Sequence, residues 1–204
     1  MSSTTETRRA PGRREAEARA TRDALVQAAL ELFTEHGYAG VGTEEIVARA
    51  KVTRGALYHH FRDKRDLFRT VHERVERELM ERVAARMEGE DGPWGLMMTG
   101  MSSFLDACDE PAVKQIALTD APVVLGWAEW REIDNDHGLG LARAALSGAI
   151  DAGVMRPVAV DPMAHLLVAA LSEAAFVIAN SDHPRKARKE VEGALVDLLE
   201  GLRT

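Results

Sequence analysis

Cysteine is almost absent from this chain. The single residue, Cys108, excludes an internal disulfide and any zinc site built on several cysteines. Long apolar runs are also missing, because the best stretch, residues 166–179, is interrupted by Glu173 and is too short to cross a bilayer. The first residues are polar and basic, without the apolar stretch of a signal peptide. We therefore expect a cytoplasmic protein that has no membrane partner.

The sequence also lacks the motifs of common active sites. It contains no HExxH motif, no glycine-rich phosphate loop and no nucleophile motif. The run Asp134, Asn135, Asp136 and His137 comes nearest to a metal site, but adjacent residues on one helix point in different directions and cannot converge on one ion. We expect this run to be solvated or to kink its helix. The sequence therefore predicts no catalytic residue, no metal and no cofactor.

What the sequence does contain is enough apolar side chain for a core. Of its 204 residues, 46% are apolar, which supports one or two folded domains. No strand pattern occurs, and the spacing of apolar residues predicts an all-α protein of about nine helices. Besides two short helices considered below, the predicted helices cover residues 21–36, 64–87, 94–108, 111–118, 127–151, 162–180 and 184–202.

Charge is distributed unevenly along the chain. The formal net charge is −7, yet residues 1–64 contain 11 Lys and Arg against 9 Asp and Glu, whereas residues 65–204 contain 15 against 24. This asymmetry is the expected sign for a DNA-binding head on an acidic body. Residues 1–20 contain five arginines and are expected to form a flexible basic arm, which either contacts DNA or is a disordered tail.

The basic end contains a helix-turn-helix pattern, TEEIVARAKVTRGALYHHFRDKRDLF, at residues 43–68. Thr43 can cap a first short helix, Lys51 and Val52 make the turn, and Thr53 can cap a second short helix. Two helices of this length need a scaffold, which the helix at residues 21–36 supplies. The pattern suits a second helix that enters the DNA major groove. The residues of the second helix that are left facing outward are Arg54, Gly55, Tyr58, His59 and His60.

This pattern resembles the DNA-binding signature of the TetR family of transcriptional regulators. The features that carry the resemblance are Gly37 before the unit, LYxHF in the second helix and KxxLF after it. The resemblance implies a DNA-binding head at residues 21–66 and a ligand-binding and dimerisation body at residues 67–204. It also implies that the helix at residues 64–87 connects the two and carries the signal between them.

The resemblance implies a role in DNA binding for several residues of the head. The family's phosphate contacts match Thr43, Tyr58, His60 and Lys64, and its base contacts match Arg54 and Gly55. Physical arguments agree, because helix N-termini favour an anion and a glycine lets a helix approach the groove closely. Arg54 either grips a guanine through two hydrogen bonds or makes a plain phosphate contact. The predicted DNA-binding set is Thr43, Thr53, Arg54, Gly55, Tyr58, His59, His60 and Lys64.

The body contains deformable sulfur and aromatic side chains that either line a small-molecule site or pack in an ordinary core. Glu173 stands out because it interrupts an apolar helix. It is expected to pair with an arginine across a dimer, to bond to Trp or His, or to face a ligand. The predicted ligand-binding residues are Met97, Met101, Phe104, Trp127, Trp130, Glu173 and Phe176.

The last two predicted helices differ from the others. The helix at residues 162–180 is apolar almost all round, and the next one has an apolar stripe that includes Leu195 and Leu199. In TetR-like regulators the two C-terminal helices pack against their twins. We therefore expect a homodimer that forms through residues 162–202, with the leucine stripe in its interface.

The sequence predicts a ligand-responsive transcriptional regulator. It would be a repressor that a small apolar or amphipathic molecule releases from a palindromic operator. Two alternatives come from other classes. A DNA-binding architectural protein would have a core without a cavity, and a small all-α enzyme would need an acid and a base that converge on one site.

Overall fold

The computed structural model describes residues 11–204. Within this range the chain forms nine α-helices, one π-helical segment and no strand beyond a single antiparallel bridge between Met155 and Arg203. The all-α prediction is confirmed. The chain divides into two compact units, a head that ends at Val71 and a body that runs from His72 to Thr204.

The head consists of three helices and the start of a fourth. They are α1 (Pro11–Gly40), α2 (Thr43–Ala50), α3 (Arg54–His60) and the first turns of α4 (Lys64–Met87). Its core contains Phe33 and Phe68, whose rings meet edge to face with their centroids 5.4 Å apart. The α2–α3 pair is held against α1 by buried side chains that include Ile46 and Leu57.

Helix α1 begins earlier than the sequence predicted. Residues 11–20 of the predicted arm are helical, while residues 1–10 lie outside the described residues. The segment is rich in good helix formers, and Arg13 pairs with Glu17 one turn later at 3.1 Å. Gly37 interrupts the helix with φ of 69° and ψ of 166°, near the predicted end of the helix, since glycine adopts positive φ without strain.

The body contains the rest of α4 and six further helical elements. They are α5 (Pro93–Ala107), the π-helical segment Val113–Asp120, α6 (Ala121–Val124), α7 (Trp127–Asp151), α8 (Val160–Ala179) and α9 (Pro184–Glu200). Helix α8 packs against both α7 and α9. Its N-cap is Ala159.

Helix α8 is the one helix among the described residues that is long and apolar enough to cross a membrane by length and composition. Core helices of globular domains pass the same test. Here Val168, Ala175 and Ile178 are buried within the body. The packing between α7 and α9 accounts for the apolar character of this side of the helix.

The apolar side chains that α8 and α9 expose are not the ones that the sequence predicted for a dimer interface. Leu195 and Leu199 are buried in the core of their own chain, so they are not available to a dimer interface. The exposed apolar side chains of these helices are Leu166, Val177 and Leu198. Glu173 is exposed on the same outward side as Leu166 and Val177, by helical spacing, and carries no desolvation cost within the chain.

Candidate functional site

Capping residues determine where the two helices of the helix-turn-helix begin and end. The Thr53 hydroxyl accepts a hydrogen bond of 3.2 Å from the backbone N–H of Ala56, so the predicted cap of α3 is confirmed. Lys51 ends α2 in the left-handed conformation, with φ of 56°. Thr43 does not cap α2, contrary to the prediction. The cap is Gly42, whose N–H donates to the Glu45 carboxylate at 2.8 Å.

The Thr43 hydroxyl makes no hydrogen bond to any other described residue, and Thr43 is half-buried in the first turn of α2. Because it does not cap the helix, the hydroxyl is available to an external acceptor. It lies beside the N–H groups of a helix N-terminus, which favour an anion. This placement suits a phosphate contact.

Arg54 lies at the exposed start of α3. Its guanidinium is 3.0 Å from the Glu44 carboxylate and stands over the Tyr58 ring, 5.5 Å from the ring centroid. Both partners are themselves exposed, so the pairing orients the arginine at small free-energy cost. Arg54 can therefore leave Glu44 for a base edge or a phosphate.

Gly55 is exposed, and its backbone does not need a glycine. A Cβ atom added there would meet only Thr53 Oγ1, at 3.9 Å. The fold therefore accepts a side chain at this position. Because Gly55 has no side chain, the backbone of α3 can approach DNA closely at this position.

Gly55→Ala separates folding from DNA binding. We expect the thermal midpoint of the protein to stay the same or rise slightly, since alanine is favoured over glycine in a helix by roughly 0.5–1 kcal/mol. Affinity for operator DNA should fall by about tenfold or more if the backbone approaches the groove closely. Thermal melts and equilibrium DNA titrations check both effects. Unchanged DNA affinity would show that α3 keeps its distance from DNA at this position.

The Lys64 side chain forms hydrogen bonds within the head. Its ammonium group donates to the backbone carbonyls of Tyr38 and Val41, at 2.6 and 2.7 Å, and lies 3.9 Å from the Tyr38 ring centroid. It thereby holds the connection between α1 and α2. Lys64→Ala would therefore also destabilise the head, so it does not isolate a phosphate contact.

The two histidines of α3 form an edge-to-face pair, with ring centroids 5.2 Å apart. His59 is exposed and His60 is half-buried. Burial lowers the pKa of His60, and the neighbouring His59 and Arg22 lower it further. His60 is therefore mostly neutral at neutral pH, and an imidazole in that form donates one hydrogen bond without adding charge.

Comparison with known proteins agrees with this geometry. The family model for bacterial regulatory proteins of the tetR family matches residues 25–71. The model for tetracyclin repressor-like C-terminal domains matches residues 94–202, which is more than half of the chain. The chain belongs to the TetR family. It is a TetR-family transcriptional regulator with a helix-turn-helix DNA-binding domain.

Individual relatives match over different lengths. A TetR-family regulator from Pectobacterium atrosepticum is 33% identical, with a TM-score of 0.85 over 93% of this chain and 97% of that one. The transposon Tn10 TetC protein of Escherichia coli is 26% identical over 73% of this chain and 75% of its own length. The transcriptional repressor BepR of Brucella suis is 46% identical, but the match spans 29% of this chain and 28% of BepR.

The body of this TetR-family regulator contains a cavity of about 70 Å³ that is partly open to solvent. A single water needs about 10–15 Å³, so the space is large enough for several waters or a small molecule. Its wall is contributed by α4, α5, α7, α8 and one residue of α9. The predicted ligand-binding residues that line it are Met97, Met101 and Phe104.

The other predicted ligand-binding residues do not line this cavity. Trp127 is 63% exposed. Trp130 is buried, donates its indole N–H to the Ala117 carbonyl at 3.2 Å and packs 5.3 Å from the Phe176 ring. Glu173 is exposed. The rings of Trp130 and Phe176 thus pack in the core, which was the alternative expectation for the aromatic residues.

Two carboxyl side chains that the sequence reading missed line the cavity, Glu76 and Asp134, together with the Ser172 hydroxyl. Asp134 is buried, so the expectation of a solvated run is wrong at this residue, whereas Asp136 is exposed; the expected kink is absent from α7. Arg131 donates to Asp134 Oδ2 at 3.0 Å, and the Ser172 hydroxyl lies 3.0 Å from the same oxygen. Burial raises the pKa of Asp134, while Ser172 and Arg131 oppose the rise.

Glu76 is the more isolated of the two carboxyl groups. It is 6% exposed and makes no hydrogen bond to any described residue. The nearest cation-forming group is the fully buried His72, at 3.9 Å. Burial, and then the charge of Asp134, raises the pKa of Glu76 to about 8. Burial lowers the pKa of His72 to about 4, with a further contribution from His137, so His72 is neutral.

The remaining reactive groups of the body have structural explanations. Cys108 is buried, and burial raises the pKa of its thiol to about 12, so the residue fills apolar space. In the described part of the chain no three His, Cys, Asp or Glu side chains are placed to hold a metal ion.

Proposed function

We propose that this TetR-family regulator is a homodimeric repressor that a small molecule releases from a palindromic operator. The observation that carries the proposal is the position of α4. Glu76, Met80, Val83 and Met87 of this helix line the cavity, and the first turns of the same helix belong to the head. A ligand that fills the cavity displaces side chains of a helix on which the DNA-binding unit is built. The repressor role agrees with that of the transcriptional repressor BepR, to which the head is similar.

In the proposed complex, Arg54 and Gly55 face base edges in the major groove. Thr43, Tyr58 and the two histidines hold phosphates, and in the free protein Tyr58 and His59 are exposed while Thr43 and His60 are half-buried. Thr53 acts through its cap, which fixes the start of α3. Lys64 acts mainly by holding α1 to the helix-turn-helix, and its backbone N–H lies at the start of α4.

The proposed dimer forms within residues 162–202, through the outer faces of α8 and α9. The support is the set of apolar side chains that their own chain leaves uncovered. Leu166 and Leu198 are 65% and 66% exposed, and Val177 is half exposed. Large apolar side chains left exposed on two helices that pack together favour an interaction surface there.

Release of DNA by a ligand is tested with a cavity-filling variant. Small apolar and amphipathic compounds are screened for release of operator DNA, and the coupling expected from a typical allosteric system is about 1–3 kcal/mol. Ala142 lines the cavity on α7, so Ala142→Phe should bind DNA normally and lose the response. Ala144 is exposed on the same helix, so Ala144→Phe is the matched control and should keep the response.

The outcomes of this screen are distinct. If no compound of a broad panel weakens DNA binding, the ligand response is wrong and the ligand-free architectural protein becomes the better reading. If Ala142→Phe and Ala144→Phe respond alike, ligands act at another place. Thermal melts of both variants identify any loss of folding, because overpacking a core costs roughly 1–3 kcal/mol.

A further inference from the structure

The cavity in the body is apolar except at one place. Met80, Met97, Met101 and Phe104 line much of its wall. Two buried carboxyl groups, Glu76 and Asp134, belong to the same wall. Burial of an acidic group in apolar surroundings is unfavourable unless a partner compensates it. The arrangement therefore calls for an explanation other than packing.

The two carboxyl groups differ in how they are compensated. Asp134 has a cation, Arg131, at 3.0 Å, and Ser172 lies against the same carboxylate oxygen. Glu76 has no hydrogen bond from a described residue, and the imidazole nearest to it is neutral. The cavity thus contains one balanced carboxylate and one carboxyl group whose partner the chain does not supply.

The titratable groups near Glu76 come from its own helix and from α7, with one thiol at the end of α5. On its own helix the neighbour is His72, and on α7 it is Asp134, with Arg131 and His137 acting on Asp134. At the end of α5, the charge of Glu76 contributes to the raised pKa of the buried Cys108 thiol. None of these groups offers Glu76 a positive charge in contact. A cation that reaches the cavity would therefore be the first direct partner of this carboxylate.

We infer that the ligand of the cavity is a small apolar amine whose protonated nitrogen binds beside Glu76 and Asp134 and whose hydrocarbon part packs against the methionine and phenylalanine side chains. The inference rests on the proposed function, of which it names the effector class. Charge-assisted hydrogen bonds to buried carboxylates are strong. Methionines adapt their shape to different hydrocarbon groups, which suits a cavity of modest size.

Binding of an amine has a proton signature. In the empty cavity Glu76 holds its proton at neutral pH, because burial raises its pKa to about 8. When an ammonium group arrives, the carboxylic acid ionises, its proton passes to the buffer, and the carboxylate pairs with the N–H⁺ group. Close to one proton is released at pH 7, where most but not all of the Glu76 side chains are protonated. The number released falls towards zero above pH 8, where Glu76 is already ionised.

Three probes of one shape distinguish the possible ligand chemistries. Benzylamine carries a positive charge at neutral pH, benzyl alcohol is neutral, and benzoate is negative. We expect calorimetry of the full chain to give a dissociation constant for benzylamine at least tenfold lower than that for benzyl alcohol, and no binding of benzoate. Titrations in two buffers of different ionisation enthalpy measure the released proton.

The variant Glu76→Gln tests the residue itself. Glutamine keeps the shape and never ionises, so the variant should fold at least as well. It should bind benzylamine at least tenfold more weakly, bind benzyl alcohol unchanged and release no proton. Glu81→Gln is the matched control, because Glu81 lies exposed on the same helix. It should leave all three probes unaffected.

Each outcome decides for or against the amine. Tighter binding of benzyl alcohol than of benzylamine, no binding of any probe, or equal binding by Glu76→Gln overturns the inference. Binding of benzylamine with proton release, lost in Glu76→Gln, supports it. A separate DNA titration with saturating benzylamine distinguishes the two proposals. If benzylamine binds in this way and operator affinity does not change, the amine site stands and the proposed release mechanism is wrong.

Discussion

Arg54→Ala should weaken binding to the preferred operator by about 1–3 kcal/mol and relax the preference at one base pair in each half-site. The reason is the place of Arg54 at the exposed start of α3, where its guanidinium contacts the exposed side chains of Glu44 and Tyr58. A guanidinium in that position can donate two hydrogen bonds to a guanine. Competition titrations with operators that vary one base pair at a time measure both effects.

Tyr58→Phe is the matched control for this experiment. It keeps the ring beneath Arg54 and removes the hydroxyl proposed to contact a phosphate, so affinity should fall alike for every sequence. The salt dependence should stay the same, because a neutral hydroxyl displaces no counterion. Removal of Arg54 also leaves the exposed Glu44 unpaired, and its repulsion of phosphate acts equally on all sequences. If Arg54→Ala lowers affinity equally for operator and random DNA, Arg54 contacts a phosphate and not a base.

The double variant Leu166→Glu, Leu198→Glu should be a folded monomer, with operator affinity reduced by about a hundredfold or more. Both side chains are exposed on α8 and α9, so the changes leave the core of the chain intact. A palindromic operator is bound by two linked heads, and loss of the link removes the gain from simultaneous binding, which is commonly 10²–10⁴-fold. Light scattering gives the mass, and DNA titration gives the affinity.

Val123→Glu provides the comparison for the dimer experiment. Val123 is 83% exposed on α6, so the same chemical change is made on a different helix. This variant should remain a dimer and bind operator normally. A double variant of α8 and α9 that is still dimeric would place the interface elsewhere in the chain.

The head was readable from the sequence because its structure depends on local chemistry. The positions of α2 and α3, the turn at Lys51 and the cap at Thr53 follow from short-range spacing and capping. The roles of Thr43 and Lys64 within the fold were not readable. The N-terminus of α2 is capped by Gly42, whose N–H donates to the Glu45 carboxylate. The Lys64 ammonium donates to the Tyr38 carbonyl, which is distant in the sequence.

The cavity was only partly predictable. Methionine and phenylalanine spacing pointed to α5, whose residues do line it. On α4, His72, Glu76, Met80 and Val83 follow each other at helical spacing, which indicates a face with polar side chains at one end. The neighbouring apolar face, which includes Val75 and Leu79, is the more regular pattern and masks this indication. Burial of Asp134 depends on the packing of α7 against α8, which no local pattern reveals.

The C-terminal helices show a different limit. An apolar stripe on an amphipathic helix indicates that a face is buried, without stating which partner buries it. In α9 the residues Leu195 and Leu199 face their own chain, and Leu198 between them faces outward. Only the packing of α9 on α8 and α5 assigns these neighbours to the core or to the proposed dimer interface.

Selection of bound DNA from a random pool, with the purified full chain and no prior assumption about the operator, tests the central claim most directly. We predict enrichment of one inverted repeat, with half-sites separated so that two recognition helices enter successive major grooves on the same side of the duplex. Arg54→Ala should lose the preference at one position in each half-site. Enrichment of no sequence, or of a single site without a repeat, would contradict a dimeric operator-binding protein.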